Sequence, residues 1–357
     1  MTDLLARTAA LVDIASPSRD EAALVEVIEA ELRAMPALVV DRVGDNLVAR
    51  TQLGRAQRIV FAGHTDTVPA TAHNATARIE GDRLLGVGSS DMKGGLAIML
   101  ELARTLEDPA VDCTFVFYAR EEVGSAESGL GELFERRPEL LVGDVAILGE
   151  PTDGLIEAGC QGTLRVRVTV HGARAHTARA WMGRNAVHRL GSVLDVLADY
   201  EPRRPVIDGC QFHEGLQAVE ITGGVAGNVV PDVASVLINH RFAPDRSAAE
   251  AEAHVRELLA PALEDGDTIE LTECSAGASP GLTHPLLASL VERSGGQVLA
   301  KLGWTDVARF ASHGVPAVNF GPGDNTVAHT AGEYLDRAPL EHTWSILRAL
   351  VAEGASG

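Results

Sequence analysis

The chain is predicted to be an α/β protein, with a mostly parallel, twisted sheet flanked by helices and an inserted α+β domain of ferredoxin-like type. Two patterns and one chemical pairing predict this. Up to Gly162, apolar β-rich runs alternate with amphipathic helical stretches, the pattern of a parallel sheet covered on both faces. From Leu164 to Val170 the order Leu-Arg-Val-Arg-Val-Thr-Val keeps strict period two, which belongs to a sheet with one wet face. The β-α pattern resumes after Gly281 and carries His329, which belongs chemically with His64 before the interruption. A length of 357 residues exceeds a usual single core. The expected domains are therefore 1–162 and 275–357 for the two parts of the larger one, and 163–274 for the insertion.

Taken in order, residues 3–15 and 19–35 read as amphipathic helices, with Ser16-Pro17-Ser18 between them supplying an N-cap. Strands near 38–43 and 46–51 pair across the turn dipeptide Gly44-Asp45. Ile59 to Gly63 is a buried strand that delivers His64, and 70–88 reads as a loop with a short hairpin. A helix from Gly94 to Leu106 is followed by a strand from Thr114 to Arg120, a helix near 127–137, and a strand from Asp144 to Gly149. The insertion reads as strand 164–170, helix 184–199, strands 216–224 and 233–242, helix 247–264 and strand 268–274, a β-α-β-β-α-β unit similar to a ferredoxin-like plait. No repeats or low-complexity stretches occur.

Composition narrows the function. No apolar run approaches the roughly 18 residues of a membrane span, and the first residues lack the basic and apolar regions of a signal peptide. A soluble cytoplasmic protein is expected. Cys113, Cys160, Cys210 and Cys274 are far apart with no C-x-x-C, which argues for buried free thiols rather than a disulfide framework or a structural zinc site. A formal charge of −20 disfavours nucleic acid and anionic membrane as partners. An anionic substrate must then be captured by local arginines.

The chemistry gathers where strands end. A lone His-x-Asp pair such as His64-Thr65-Asp66 is more often a surface polar pair, but companions follow it. Asp91 stands in a Gly-rich loop before a helix; Glu121-Glu122 and Glu150 end strands; His329 follows the strand Ala317–Phe320. Strand ends in an open α/β sheet converge on one crevice, where three carboxylates and two histidines suit two zinc ions with one carboxylate bridging. Asp91, on the tight loop, is the expected bridge. Two neighbouring carboxylates cannot both point at one metal from a regular strand, so Glu122 is read as ligand and Glu121 as general base. Asp66 is expected to orient the His64 imidazole. By itself His176 reads as a surface histidine. Arg241 and Arg309 are either solvated or suited to bidentate carboxylate capture.

Taken together, His64-Thr-Asp66-Thr-Val-Pro69, Asp91-Met-Lys-Gly94, Glu121-Glu122, Gly149-Glu150-Pro151 and Ala328-His329-Thr330 resemble the di-zinc deacylases and peptidases that include aminoacylases, acetylornithine deacetylase and succinyl-diaminopimelate desuccinylase. Three segments, Gly149–Gly162, Gly227–Pro231 and Lys301–Phe310, look like the desuccinylases of high-GC Gram-positive bacteria. The resemblance implies one zinc on His64 and Glu150, a second on Glu122 and His329, and Asp91 between them, with cobalt as a substitute. It makes Glu121 the general acid and base and Asp66 the orienter. It lifts His176 to a residue that crosses a homodimer, formed through the inserted domain, to stabilise the oxyanion. Asn228, Arg241 and Thr305 match substrate-contacting positions, and the Asp91–Met92 peptide is expected to be cis. Two departures stand out. Cys160-Gln161 replaces an Arg pair of proteobacterial desuccinylases, which moves carboxylate recognition towards Arg241 or Arg309. The Thr330-Ala331-Gly332 spacer before Glu333 is smaller and less charged than the family leads one to expect.

The activity implied is hydrolysis of N-succinyl-LL-2,6-diaminopimelate. An N-acyl-amino-acid deacylase such as acetylornithine deacetylase shares the metal machinery, and a non-catalytic metal-binding homologue would lack need of Glu121.

Overall fold

The computed structural model describes residues 2–71 and 73–355. Its contacts divide the chain into two units, one made of the residues up to Ala158 with Pro280–Leu299 and the residues from Arg309 on, the other of Gly159–Ser279 with Ala300–Ala308.

In the first unit, helices α1 (Leu4–Val12) and α2 (Ala22–Arg33) precede the antiparallel hairpin of β1 (Val39–Val43) and β2 (Asn46–Arg50), which turns at Gly44 with φ +60°. The expected serine cap of α2 is not made: its N-cap is Glu21, with no side-chain cap bond. The two serines are drawn instead to the strand end, Ser16 donating to the Thr65 carbonyl at 2.8 Å and Ser18 to Asp66 Oδ2 at 2.7 Å. β3 (Arg58–His64) follows, then the short hairpin of β4 (Arg78–Glu80) and β5 (Arg83–Leu85), α3 (Gly94–Arg104), β6 (Asp112–Tyr118), α4 (Gly129–Arg136), β7 (Val145–Leu148) and β8 (Ile156–Ala158).

The second unit holds β9 (Gly162–His171), α5 (Ala186–Ala198), β10 (Gly215–Gly223), β11 (Val233–Phe242), α6 (Ala248–Leu259) and β12 (Thr268–Ser275). Its sheet has the order β10-β11-β9-β12 and every pairing is antiparallel. Period two explains it. Leu164, Val166, Val168 and Val170 point inward and are fully buried with Leu190 and Val193 of α5 and Val255 of α6. The alternate residues face outward, where Arg165 pairs with Glu273 of the adjacent β12 and Arg167 reaches across β11 to Glu220 of β10. Residues 300–308 cluster here although the sequence pattern sets them after the insertion. Hydrogen bonds account for it, from Gln161 N to the Lys301 carbonyl and from Trp304 Nε1 to the Ala276 carbonyl, which periodicity does not register.

The chain returns to the first unit with α7 (Pro285–Arg293), β13 (Val298–Ala300), β14 (Ala317–Asn319), β15 (Tyr334–Asp336) and α8 (Arg337–Glu353). The eight-stranded sheet runs β1-β2-β6-β3-β7-β14-β8-β13. Its centre, β6-β3-β7-β14, is parallel, while β1, β2 and β8 pair antiparallel. β6, β7 and β14 are buried along their whole length, as strands covered on both faces must be. Glycines let α3 lie against the strand ends: a Cβ on Gly95 would stand 2.4 Å from the Gly149 carbonyl oxygen, and one on Gly63 2.5 Å from Met92 Cε. Among the described residues no helix is long and apolar enough to cross a membrane.

Candidate metal centre

Parallel neighbours end at the same edge, so β3, β6 and β7 bring His64, Glu121-Glu122 and Glu150 together. Asp91 arrives from the loop before α3, whose Asp91–Met92 peptide is cis. His329 arrives from the segment between β14 and β15, in the left-handed region at φ +61°.

His64 is buried, and its Nε2 lies 3.1 Å from Asp91 Oδ1. Its Nδ1 meets the main-chain oxygen of Asp66 at 3.0 Å, whereas the Asp66 carboxylate is 3.6 Å away. The orienting acceptor is thus the backbone carbonyl of Asp66, which leaves Nε2 as the lone-pair nitrogen facing the centre. The Asp66 carboxylate, fully buried, accepts N–H bonds from Glu121 and Glu122, each at 3.0 Å, together with the Ser18 hydroxyl. Glu21 accepts the preceding N–H, that of Arg120, at 3.1 Å. Two buried carboxylates therefore grip three consecutive amides.

His329 Nε2 lies 2.8 Å from Glu122 Oε1 and 3.4 Å from Asp91 Oδ2. Three groups of ligand atoms fall within 4.8 Å of one another: His64, Asp91 and Glu150; Asp91, Glu122 and His329; and His64, Glu121 and Glu122. The first two share Asp91. The third departs from the argument that neighbouring glutamates diverge. That argument needs a regular strand, but β6 ends at Tyr118 and Arg120 takes φ +61°, so both carboxylates reach towards His64.

The electrostatics favour positive charge. Burial works against it, yet Asp91, Glu150 and Asp66 hold the His64 imidazole well above its ordinary pKa. Hydrogen bonds to Asp91 and Glu122 push His329 up to about 10. Burial opposes ionisation of Asp91, but His329 and His64 hold it well below the usual carboxylate range. Imidazole nitrogens and carboxylate oxygens form a donor set that fits zinc and other first-row divalent ions.

A family model described as Peptidase family M20/M25/M40 matches residues 60–353. The chain belongs to this family. M20 proteins are metal-dependent amide hydrolases, and this member is a hydrolase acting on an amide, with a candidate metal-binding cluster. It is 42% identical over 357 residues to the succinyl-diaminopimelate desuccinylase of Corynebacterium glutamicum, covering 98% of this chain and 96% of the other. It is 54% identical over 349 residues to a Mycobacterium tuberculosis H37Rv protein, DapE, named provisionally as a desuccinylase of the same kind, covering 97% of each. Among solved structures it resembles a tripeptidase of Staphylococcus aureus, with TM-score 0.80 at 20% identity over 98% and 97% of the two chains. An M20 family metallo-carboxypeptidase of Sulfolobus solfataricus gives 0.79 at 17% identity over 98% and 99%. These structures share the mixed α/β fold.

Of the remaining candidates of this M20 chain, His176, Asn228, Arg241 and Thr305 belong to the second unit and Arg309 to the first. His176, exposed, accepts the Ala178 N–H on Nδ1 at 3.0 Å. Asn228 is exposed and Arg241 half-buried in the second unit, where Thr305 is buried with no hydrogen-bond partner for its hydroxyl among the described residues. Arg309, in the first unit, donates from Nη2 to the Ser125 carbonyl at 3.0 Å and hydroxyl at 2.6 Å. Sequence reasoning passed over Glu21, Ser18 and Glu333, all of which bind the loops that carry the clustered residues. Glu333 stands four residues after His329, a spacing that does not by itself signal this role.

Proposed function

We propose that this chain is a cytoplasmic di-zinc enzyme of lysine and diaminopimelate biosynthesis that hydrolyses N-succinyl-LL-2,6-diaminopimelate to LL-2,6-diaminopimelate and succinate. The observation that carries this reading is 54% identity over 97% of both chains to the Mycobacterium tuberculosis protein. Acyl specificity resides in dispersed pocket residues, which near-full-length similarity retains better than a shared motif does.

In this reading His64 and Glu150 would hold one zinc and Glu122 and His329 the other, with Asp91 common to both groups and cobalt able to substitute. When bound, the ions polarise the amide carbonyl and acidify water towards neutrality. Glu121 takes the proton of the attacking water and returns it to the departing amine as the C–N bond breaks. Asp66 holds the Glu121 and Glu122 amides and so sets where both carboxylates lie.

His176 has Nδ1 occupied as an acceptor, so its neutral ring carries the proton on Nε2. We assign that N–H to the oxyanion in a neighbouring subunit of a homodimer. Dimerisation through the inserted domain is supported by β10, an edge strand that leaves Val219 56% and Ile221 52% exposed. Asn228, Arg241 and Thr305 are assigned to substrate. Arg309 is already engaged with Ser125, so Arg241 takes the larger share of carboxylate capture.

The test is kcat/KM of metal-stripped, zinc-restored protein on succinyl-diaminopimelate beside N-acetyl-ornithine. A preference of several hundredfold for the first, roughly 3–4 kcal/mol of differential transition-state binding, is expected. Comparable rates or the reverse order would discard the substrate and keep the metal mechanism. Glu121→Gln is expected to abolish turnover with zinc still bound, and substantial residual activity would remove its role.

A further inference from the structure

We propose that Glu333 is a positioning residue of the metal centre, clamping the loop that carries Asp91 to the segment that carries His329. The inference rests on the metal-centre reading above.

Glu333 is buried, 1% exposed. Its Oε2 accepts the Gly88 N–H at 3.0 Å, and its Oε1 accepts those of Ser90 at 3.0 Å and Asp91 at 3.1 Å. Three amides of one short loop thus converge on one carboxylate, an anion-binding nest filled by the chain's own side chain. Its main-chain oxygen also accepts the Gly86 N–H at 3.2 Å, and its own N–H reaches the Thr330 carbonyl at 3.3 Å. Asn74 joins from the other side, donating Nδ2 to the Thr330 carbonyl at 3.2 Å while its carbonyl accepts the Val87 N–H at 2.8 Å. Loop 86–91 and segment 329–333 therefore form one stapled piece, from which the side chains of Asp91 and His329 stand together in a single candidate ligand group.

A carboxylate is a costly way to fill buried space. What it supplies over an apolar or amide side chain is two oxygens that together accept three N–H groups, one of them on Asp91 itself. A glutamine offers one acceptor oxygen and turns an NH₂ group towards an N–H donor, so the loop loses a fixed point next to its ligand.

The experiment is zinc titration of the full-length wild type, Glu333→Gln and Glu333→Asp after stripping, read by calorimetry, with visible spectra of the Co²⁺ forms. Glu333→Gln is expected to weaken zinc binding by about 10–100-fold and alter the Co²⁺ bands. It is also expected to lower kcat with KM within about twofold of wild type. Glu333→Asp, with both oxygens a methylene short, is expected to recover part of each. A lower Tm with unchanged zinc affinity and spectrum would reduce Glu333 to packing and overturn the proposal. Should the glutamine variant not fold, the aspartate variant decides by the same readings. A wild type that binds no zinc would overturn the metal centre and this inference together, whereas normal wild-type binding with unaffected variants overturns this inference alone.

Discussion

The Asp66 carboxylate accepts from Ser18, Glu121 and Glu122, while the imidazole of His64 two residues earlier takes the Asp66 backbone oxygen instead. Separate tasks for the two parts of one residue make a prediction. Asp66→Asn keeps one acceptor oxygen where two amides need one each, so the Glu121-Glu122 loop loosens while His64 keeps its orientation. The expected outcome is a kcat lower by about 10–100-fold, measured by steady-state rates. An unchanged kcat would remove Asp66 from the placing of Glu121 and Glu122. The clustered side chains were legible in sequence because imidazoles and carboxylates at strand ends are chemically conspicuous. Glu21 and Glu333 were not, since a glutamate that accepts backbone amides looks like any surface glutamate until the fold brings it to Arg120 or, 245 residues away in sequence, to Gly88.

Elements are held by polar anchors of their own. In the inserted unit Asp267, whose side chain is inaccessible, accepts from Arg189 Nη2 at 2.6 Å and from the His171 and Glu264 amides at 2.9 Å each. Burial opposes ionisation, but the Arg189 guanidinium and these amides hold the carboxyl down to about 2. A folded pKa below the unfolded value contributes stability that is fully present above about pH 4 and is lost as pH falls through about 2. The contribution is about 2 kcal/mol. Denaturant unfolding of Asp267→Asn against wild type at pH 7 and pH 2.5 should give a gap that shrinks at the lower pH; a gap independent of pH would assign the loss to packing. Helix and strand positions here were legible from periods of 3.6 and 2, whereas their ends moved with local chemistry. The helix expected over 247–264 ends at Leu259, with a 3₁₀ turn containing Pro261 after it, because proline withholds the N–H that the ladder needs.

Across the chain, charge and surface bear on assembly. A formal charge of −20 opposes association, so the proposed dimer is expected to rest on apolar contact and strand pairing at the β10 edge. Val219→Lys with Ile221→Lys is expected to give a monomer by light scattering, with far-UV circular dichroism unchanged. Activity is expected to fall together with the dimer if His176 serves a neighbouring subunit. A double variant that stays dimeric would move the interface elsewhere, and a fully active monomer would remove His176 from catalysis.

Periodicity and residue chemistry are carried by neighbours in sequence, and for that reason the α/β alternation, the antiparallel sheet of the second unit, the imidazoles and carboxylates at strand ends and the family were all readable from the chain alone. Hydrogen bonds between distant segments carry no such local signature. Folding alone assigned the His64 tautomer to a backbone oxygen, turned Glu121 and Glu122 towards the same imidazole, drew 300–308 into the inserted unit, and set the Glu333 carboxylate under the Asp91 loop. In each case the deciding quantity is which donor and acceptor meet within about 3 Å, a property of three-dimensional approach that neither composition nor spacing encodes.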